Sequence, residues 1–196
     1  PGYGYSGVHS DGDAESLTIF SLEDDQILSK FSLTEILEQT KLECPPQSDP
    51  YLNHVAWSAC SSKILTLIHY PDPHTNVRRI FPVLLNLNKS SANLISNTGL
   101  FSHHTWIDSE RILAYLKVER GAKFALWGVQ GGWCEIGSSM PQGDGHPTVF
   151  ADGKRVVVDS YPNRMGNMAL FIGGLSDDHT LKKLGQVRSH PDYQVE

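Results

Sequence analysis

Asn53-His54-Val55-Ala56-Trp57, Ser102-His103-His104-Thr105-Trp106 and Gly145-His146-Pro147-Thr148-Val149-Phe150 are three versions of one phrase, and their spacing decides the fold. In each, a histidine stands three residues before an apolar residue (Trp57, Trp106 or Val149), and a polar turn and a β-branched run follow. The histidines fall at 54, 103 and 146. That is a period of roughly 40–50 residues, the range of stacked four-stranded units such as propeller blades. Equivalent positions of successive blades point at one axis, so the spacing predicts that the three imidazoles meet in space.

Outward from these phrases, turn residues and β-branched runs divide the chain into three full repeats. The first predicts strands near 53–58, 63–69, 79–87 and 92–96, and the second near 103–107, 111–118, 122–129 and 133–136. The third predicts them near 146–150, 154–160, 167–173 and 181–187. Turns at Asp108-Ser109-Glu110, Glu119-Arg120-Gly121, Gln130-Gly131-Gly132 and Asp152-Gly153 carry fitting chemistry. Leu84-Leu85-Asn86, Ala125-Leu126-Trp127 and Ala169-Leu170-Phe171 hold the same place in their repeats.

Ahead of the repeats, the Gly-, Ser- and Asp-rich segment through Asp13 reads as loop, and strands at 16–22 and 27–31 flank a turn at Glu23-Asp24-Asp25. Ser32-Leu33-Thr34-Glu35 has the form of a capping box, opening a short helix to about Thr40, and Cys44 to Pro50 is a proline-broken loop. The fold expected is all-β, a β-propeller fragment with three complete four-stranded blades plus a partial leading blade. Residues 1–50 are the partial blade and loop, 51–99, 100–141 and 142–190 are blades, and 191–196 is a tail, all in one propeller domain. A β-sandwich, which also strings together short strands, is the alternative; the regular four-strand period argues against it. Three repeats do not close a ring of 4–8 blades. The expectation is therefore a piece cut from a longer chain at both ends, or a homodimer that closes the ring.

The composition, 39% hydrophobic and 19% charged with a net charge of −6, is that of a globular domain. No basic stripe marks a nucleic-acid partner. No apolar run reaches the roughly 18 residues of a membrane span. Cys44, Cys60 and Cys134 match neither a metal motif nor a disulfide framework, so they read as buried or half-buried thiols and lean toward a reducing, cytoplasmic setting. No Gly-x-Ser-x-Gly elbow is present, which leaves any hydrolase outside this segment.

Gly143-Asp144-Gly145-His146-Pro147-Thr148-Val149-Phe150-Ala151-Asp152-Gly153-Lys154-Arg155 resembles the His-Pro-x-x-Ser-Pro-Asp-Gly-Lys blade signature of propellers related to the Tol translocation protein. The opening Gly2-Tyr3-Gly4, Asn53-His54, Ser102-His103 and Asp159-Ser160-Tyr161-Pro162 make the organisation similar to one branch of these, the oligogalacturonate lyases and their relatives. As blade framework the resemblance covers nearly the whole chain; as a statement of activity it rests on few residues. It implies a ring of about seven blades and a metal-assisted β-elimination on uronate oligosaccharides. In that family a His removes the C5 proton, while an Arg and a manganese ion neutralise the neighbouring carboxylate. Carried over by position, His103 resembles the base, His146 the first metal ligand, and Arg78 or Arg79 the catalytic arginine. The family's remaining metal ligands, a later Gln and His cluster, have no counterpart here.

The division of labour is chemically sensible. A C5 proton beside a carboxylate is very weakly acidic, so its removal needs charge neutralisation as well as a positioned base. His54 would line the same mouth as a substrate-binding group, and imidazole with oxygen ligands suits manganese but also iron, nickel or zinc. The bland readings stand beside these. Each histidine can simply hydrogen-bond a neighbouring blade, and Arg78 and Arg79 can be surface residues. His104 reads as packing or surface; His9, His69, His74, His179 and His190 read as loop or solvent-facing. The tryptophans read as blade core. Asp144 and Asp159 are candidates to orient His146, with a turn role open for Asp144. The competing function is a non-catalytic propeller that binds a partner and serves as scaffold.

Overall fold

The computed structural model describes residues 15–119, 121–128, 132–135, 143–175 and 181–188. The chain divides into two compact units, residues 1–57 with 61–97 and residues 58–60 with 98–196.

In the first unit, β1 (Ser16–Phe20) and β2 (Ile27–Ser32) form an antiparallel hairpin, and α1 (Leu33–Thr40) follows without a break. The helix starts where it does because Ser32 and Glu35 satisfy each other's backbone. The Glu35 N–H donates to Ser32 Oγ at 3.2 Å, and the Ser32 N–H donates to Glu35 Oε2 at 2.9 Å. It stops at Lys41, whose left-handed backbone (φ 54°) turns the chain out of the helix. β3 (Tyr51–Trp57), β4 (Lys63–Pro71), β5 (Arg78–Asn86) and β6 (Ser91–Leu94) then form a four-stranded antiparallel meander in chain order. Leu17, Ile19, Phe31, Leu33 and Ile36 from the hairpin and helix pack on Ile64, Ile68, Tyr70, Phe81, Val83 and Leu85 of that sheet. The helix is also tied by polar contact, since the Ala92 N–H donates to Gln39 Oε1 at 2.7 Å. β4 is buried on both faces, which is why it reads as a continuous apolar run rather than an alternation.

The second unit holds two more meanders. β7 (Phe101–Trp106), β8 (Arg111–Val118), β9 (Gly121–Gly128) and β10 (Gly132–Glu135) form one. β11 (Pro147–Val149), β12 (Arg155–Asp159), β13 (Asn167–Gly174) and β14 (Leu181–Arg188) form the other. Leu113 and Phe124 of the first sheet, with Ile107 just after β7, pack on Val156 and Val158 of the second, with Leu175 just after β13, and the leading strands β7 and β11 are neighbours. Both sheets close their first hairpin with the same device. Asp108 accepts the N–H groups of Glu110 and Arg111 and the Arg111 Nε at 2.8 Å. Asp152 does the same for the N–H groups of Lys154 and Arg155, at 2.9 and 3.2 Å, and for the Arg155 Nε at 2.8 Å.

Three four-stranded meanders behind a two-stranded leading hairpin are the blades and partial blade of an all-β, propeller-like fold. No strand exchanges between sheets among the described residues, so the sandwich alternative falls. The expected helix and each expected strand appear, with ends shifted by a few residues; β11 shrinks to three residues, and β1 ends at Phe20 because Leu22–Asp24 turn. The expectation for His69 was wrong: it lies within β4 and is 4% exposed, held inside by the two-sided burial of that strand. Trp57 also departs from the core reading at 46% exposed, and Cys60 is exposed rather than buried. His9, His179, His190, the opening Gly2-Tyr3-Gly4, the turn residues Arg120, Gln130 and Gly131, and the tail 191–196 lie outside the described residues. No described helix is long and apolar enough to cross a membrane.

Candidate functional site

The three histidines occupy the position their phrases assign. Trp57 pairs with Ile64, Trp106 with Ile112 and Val149 with Val156, so these apolar residues sit at corresponding rungs of their first hairpins. His54 and His103, three residues earlier, both fall in an irregularity of the ladder. In β3 the register slips between Asn53 and Val55, and in β7 between Phe101 and His104. Such a bulge takes a side chain out of the strict in-and-out alternation and re-aims it. His146 immediately precedes β11.

In the second unit these placements bring His103 and His146 together, with ring centroids 4.0 Å apart and planes inclined by 57°. Each ring has its own carboxylate. His103 Nδ1 lies 3.1 Å from Asp144 Oδ1, and the Ser102 hydroxyl donates to Asp144 Oδ2. His146 Nδ1 is 3.1 Å from both oxygens of Asp159, whose Oδ1 also accepts the His146 backbone N–H at 2.6 Å. An ionised carboxylate only accepts, so Nδ1 carries the proton in each neutral ring and Nε2 keeps a lone pair. Side-chain exposure is 25% for His103 and 61% for His146, so both rings are reachable from solvent.

The loop carrying His146 has little latitude. The Gly145 N–H donates to Asp144 Oδ1 at 2.9 Å, and a Cβ on Gly145 would fall far inside van der Waals contact of the Asp159 carbonyl oxygen. Only glycine lets the chain pass there. Tyr161 completes the cluster, its ring 5.7 Å from that of His103 and 6.0 Å from that of His146. Its N–H donates to the Asp144 carbonyl at 3.4 Å. Burial, and then the charges of Asp144 and Asp159, push the Tyr161 phenol above the usual range for tyrosine. Burial and Asp144 do the same to Tyr115.

His54, Arg78 and Arg79 belong to the first unit. His54 holds a left-handed backbone (φ 55°), and its N–H donates to Asn53 Oδ1 at 2.8 Å. Its ring stacks on that of His69 at 6.2 Å. Arg78 and Arg79 open β5 on alternate faces, opposite Pro71 and Tyr70, and Arg79 Nε lies 3.8 Å from Asp72 Oδ2. Burial, then His54 and Arg78, push the His69 imidazole down to about 4.

An imidazole whose Nδ1 faces a carboxylate is a donor type that divalent cations accept through Nε2. Among the described residues no group of three or more His, Cys, Asp and Glu side chains converges to hold a metal. The structure brings His103, His146 and Asp159 together; Asp144, which the sequence offers as a partner of His146 or a turn residue, accepts the Gly145 N–H and lies against His103. Tyr161, Ser102 and Gly145 join the site without a sequence signal that assigns them a role. The available signal was positional: Asp159 and Tyr161 follow His146 by one hairpin, the separation that sets two strand ends side by side.

No protein-family profile matches the chain, and no curated protein is detectably similar to it. Among solved structures, the chain is similar to acylaminoacyl peptidase from Pyrococcus horikoshii, with a TM-score of 0.53 and 10% identity over 70% of this chain and 25% of that one. TolB from Acinetobacter baumannii is matched with a TM-score of 0.44 and 12% identity, over 68% of this chain and 43% of that one. The chain thus spans a quarter of the first structure and under half of the second. At these identities the first likeness speaks to the propeller-like fold alone.

Proposed function

We propose that the chain carries the site of a lyase-like propeller acting on acidic oligosaccharides, by β-elimination at a uronate residue. The observation that supports this reading is the His103–His146 pair, each ring oriented through Nδ1 by its own carboxylate. Two imidazole rings with centroids 4.0 Å apart offer a base and a cation ligand in one place, the two requirements of removing a carboxylate-flanked proton. In the proposal His103 Nε2 accepts the C5 proton, and Asp144 stabilises the imidazolium that results. Asp159 holds His146 in the tautomer that presents Nε2 to a divalent cation, with manganese the favoured ion. When bound, the cation supplies charge neutralisation at the uronate carboxylate.

The test is turnover of uronate oligomers with and without added manganese, followed by the ultraviolet absorbance of the unsaturated product. His103→Ala is expected to lower kcat by about 10²–10⁴-fold, the usual worth of a positioned base. His146→Ala is expected to weaken cation binding, read by calorimetry, along with kcat/KM. If the unaltered protein releases no unsaturated product from any uronate oligomer, the reading is overturned and the non-catalytic binding propeller replaces it.

A further inference from the structure

We propose that Tyr161 is the general acid of this site, giving its phenolic proton to the oxygen that leaves C4 while His103 takes the proton from C5. The proposal rests on the lyase reading above. An alkoxide is a poor leaving group, so elimination that breaks a C4–O bond needs a proton delivered as well as a proton removed. The groups gathered around the pair differ sharply in what they can deliver. Asp144 and Asp159 are engaged as acceptors of Nδ1–H groups, and the neutral imidazoles hold lone pairs at Nε2. Among the described residues, Tyr161 brings a ring with an O–H within about 6 Å of both histidines, and it stands 54% exposed, open to a substrate.

Its placement is held from the same residue that holds the base. The carbonyl of Asp144 accepts the Tyr161 N–H, while the Asp144 carboxylate accepts from His103 and Ser102. The backbone of the acid and the ring of the base are therefore tied to a single residue.

The step balances. His103 Nε2 bonds the C5 proton, and the C5–H electron pair becomes the C4–C5 double bond. The C4–O bond breaks, and its oxygen takes the Tyr161 proton. Solvent then reprotonates the phenolate and deprotonates the imidazolium, with no oxidant or reductant involved.

The experiment compares the unaltered protein with Tyr161→Phe on two substrates. One is a uronate oligomer; the other is a uronate bearing fluoride at C4, which departs without a proton. On the oligomer, Tyr161→Phe is expected to lose about 10²–10⁴ in kcat with KM little changed. On the fluoride it is expected to match the unaltered protein. Equal activity of Tyr161→Phe on the oligomer, or an equal loss on both substrates, overturns the acid role while leaving the lyase reading intact. Silence of the unaltered protein on both substrates overturns the two together.

Discussion

The carboxylate of Asp159 accepts from both the backbone N–H and the ring of His146, so loop and imidazole move as one body. Asp159→Asn keeps an oxygen for the backbone N–H but loses the charge that fixes the ring tautomer. Cation affinity or turnover is expected to fall by about 10–100-fold, with thermal stability little altered. An unchanged affinity and rate would mean that the carboxylate does not act through His146. Gly145→Ala attacks the same joint sterically. Its methyl group collides with the Asp159 backbone, so an unfolding cost of about 1–3 kcal/mol is expected, with displaced His146 ring resonances in NMR spectra. At this scale the sequence was only half readable. His103 and His146 announced themselves by repetition, whereas the pairing of Asp144 with His103 depends on how a loop lies across a neighbouring strand end. No local pattern encodes that.

At the scale of elements, legibility was greatest where local chemistry and packing agree. The Ser32–Glu35 box closes both of its hydrogen bonds, and Leu33 and Ile36 of the same helix are buried. Ser32→Ala leaves orphan N–H groups in the first turn and is expected to cost about 1 kcal/mol, read as a lower urea midpoint with an unchanged slope. An unmoved midpoint would show that packing alone holds α1. Strand positions were legible because β-branched runs stand between Asp- and Gly-bearing turns. The bulges at His54 and His103 were not, since a bulge is a mismatch between two strands and a single strand carries half of it. His69 was misjudged for a related reason. In a strand buried on both faces a polar residue has no solvent side to mark, and nothing in Leu67-Ile68-His69-Tyr70 says which positions are covered.

For the whole molecule, His69 sets an acid limit. Neither of its ring nitrogens has a hydrogen-bond partner among the described residues, so the fold accommodates the neutral ring and resists the charged one. An unfolded chain takes up that proton near pH 6.5, the folded one only at about 4. Between these values the unfolded state binds more protons, and stability falls as pH falls. The contribution is fully present above pH 6.5 and is gone near 4, a loss on the order of 3 kcal/mol. Urea unfolding from pH 7.5 to 4.5 is expected to show this slope, and His69→Phe to flatten it without loss of stability at neutral pH. A slope that persists in His69→Phe would assign the acid limit to other groups. The paired turns at Asp108–Arg111 and Asp152–Arg155 bear on the molecule differently. Each is closed by its own aspartate, through hydrogen bonds made within the turn. A hairpin finished in this way can be copied along a gene and arrive already folded at its corner. The number of blades can then change by duplication or deletion of whole units, while the joints stay as they are.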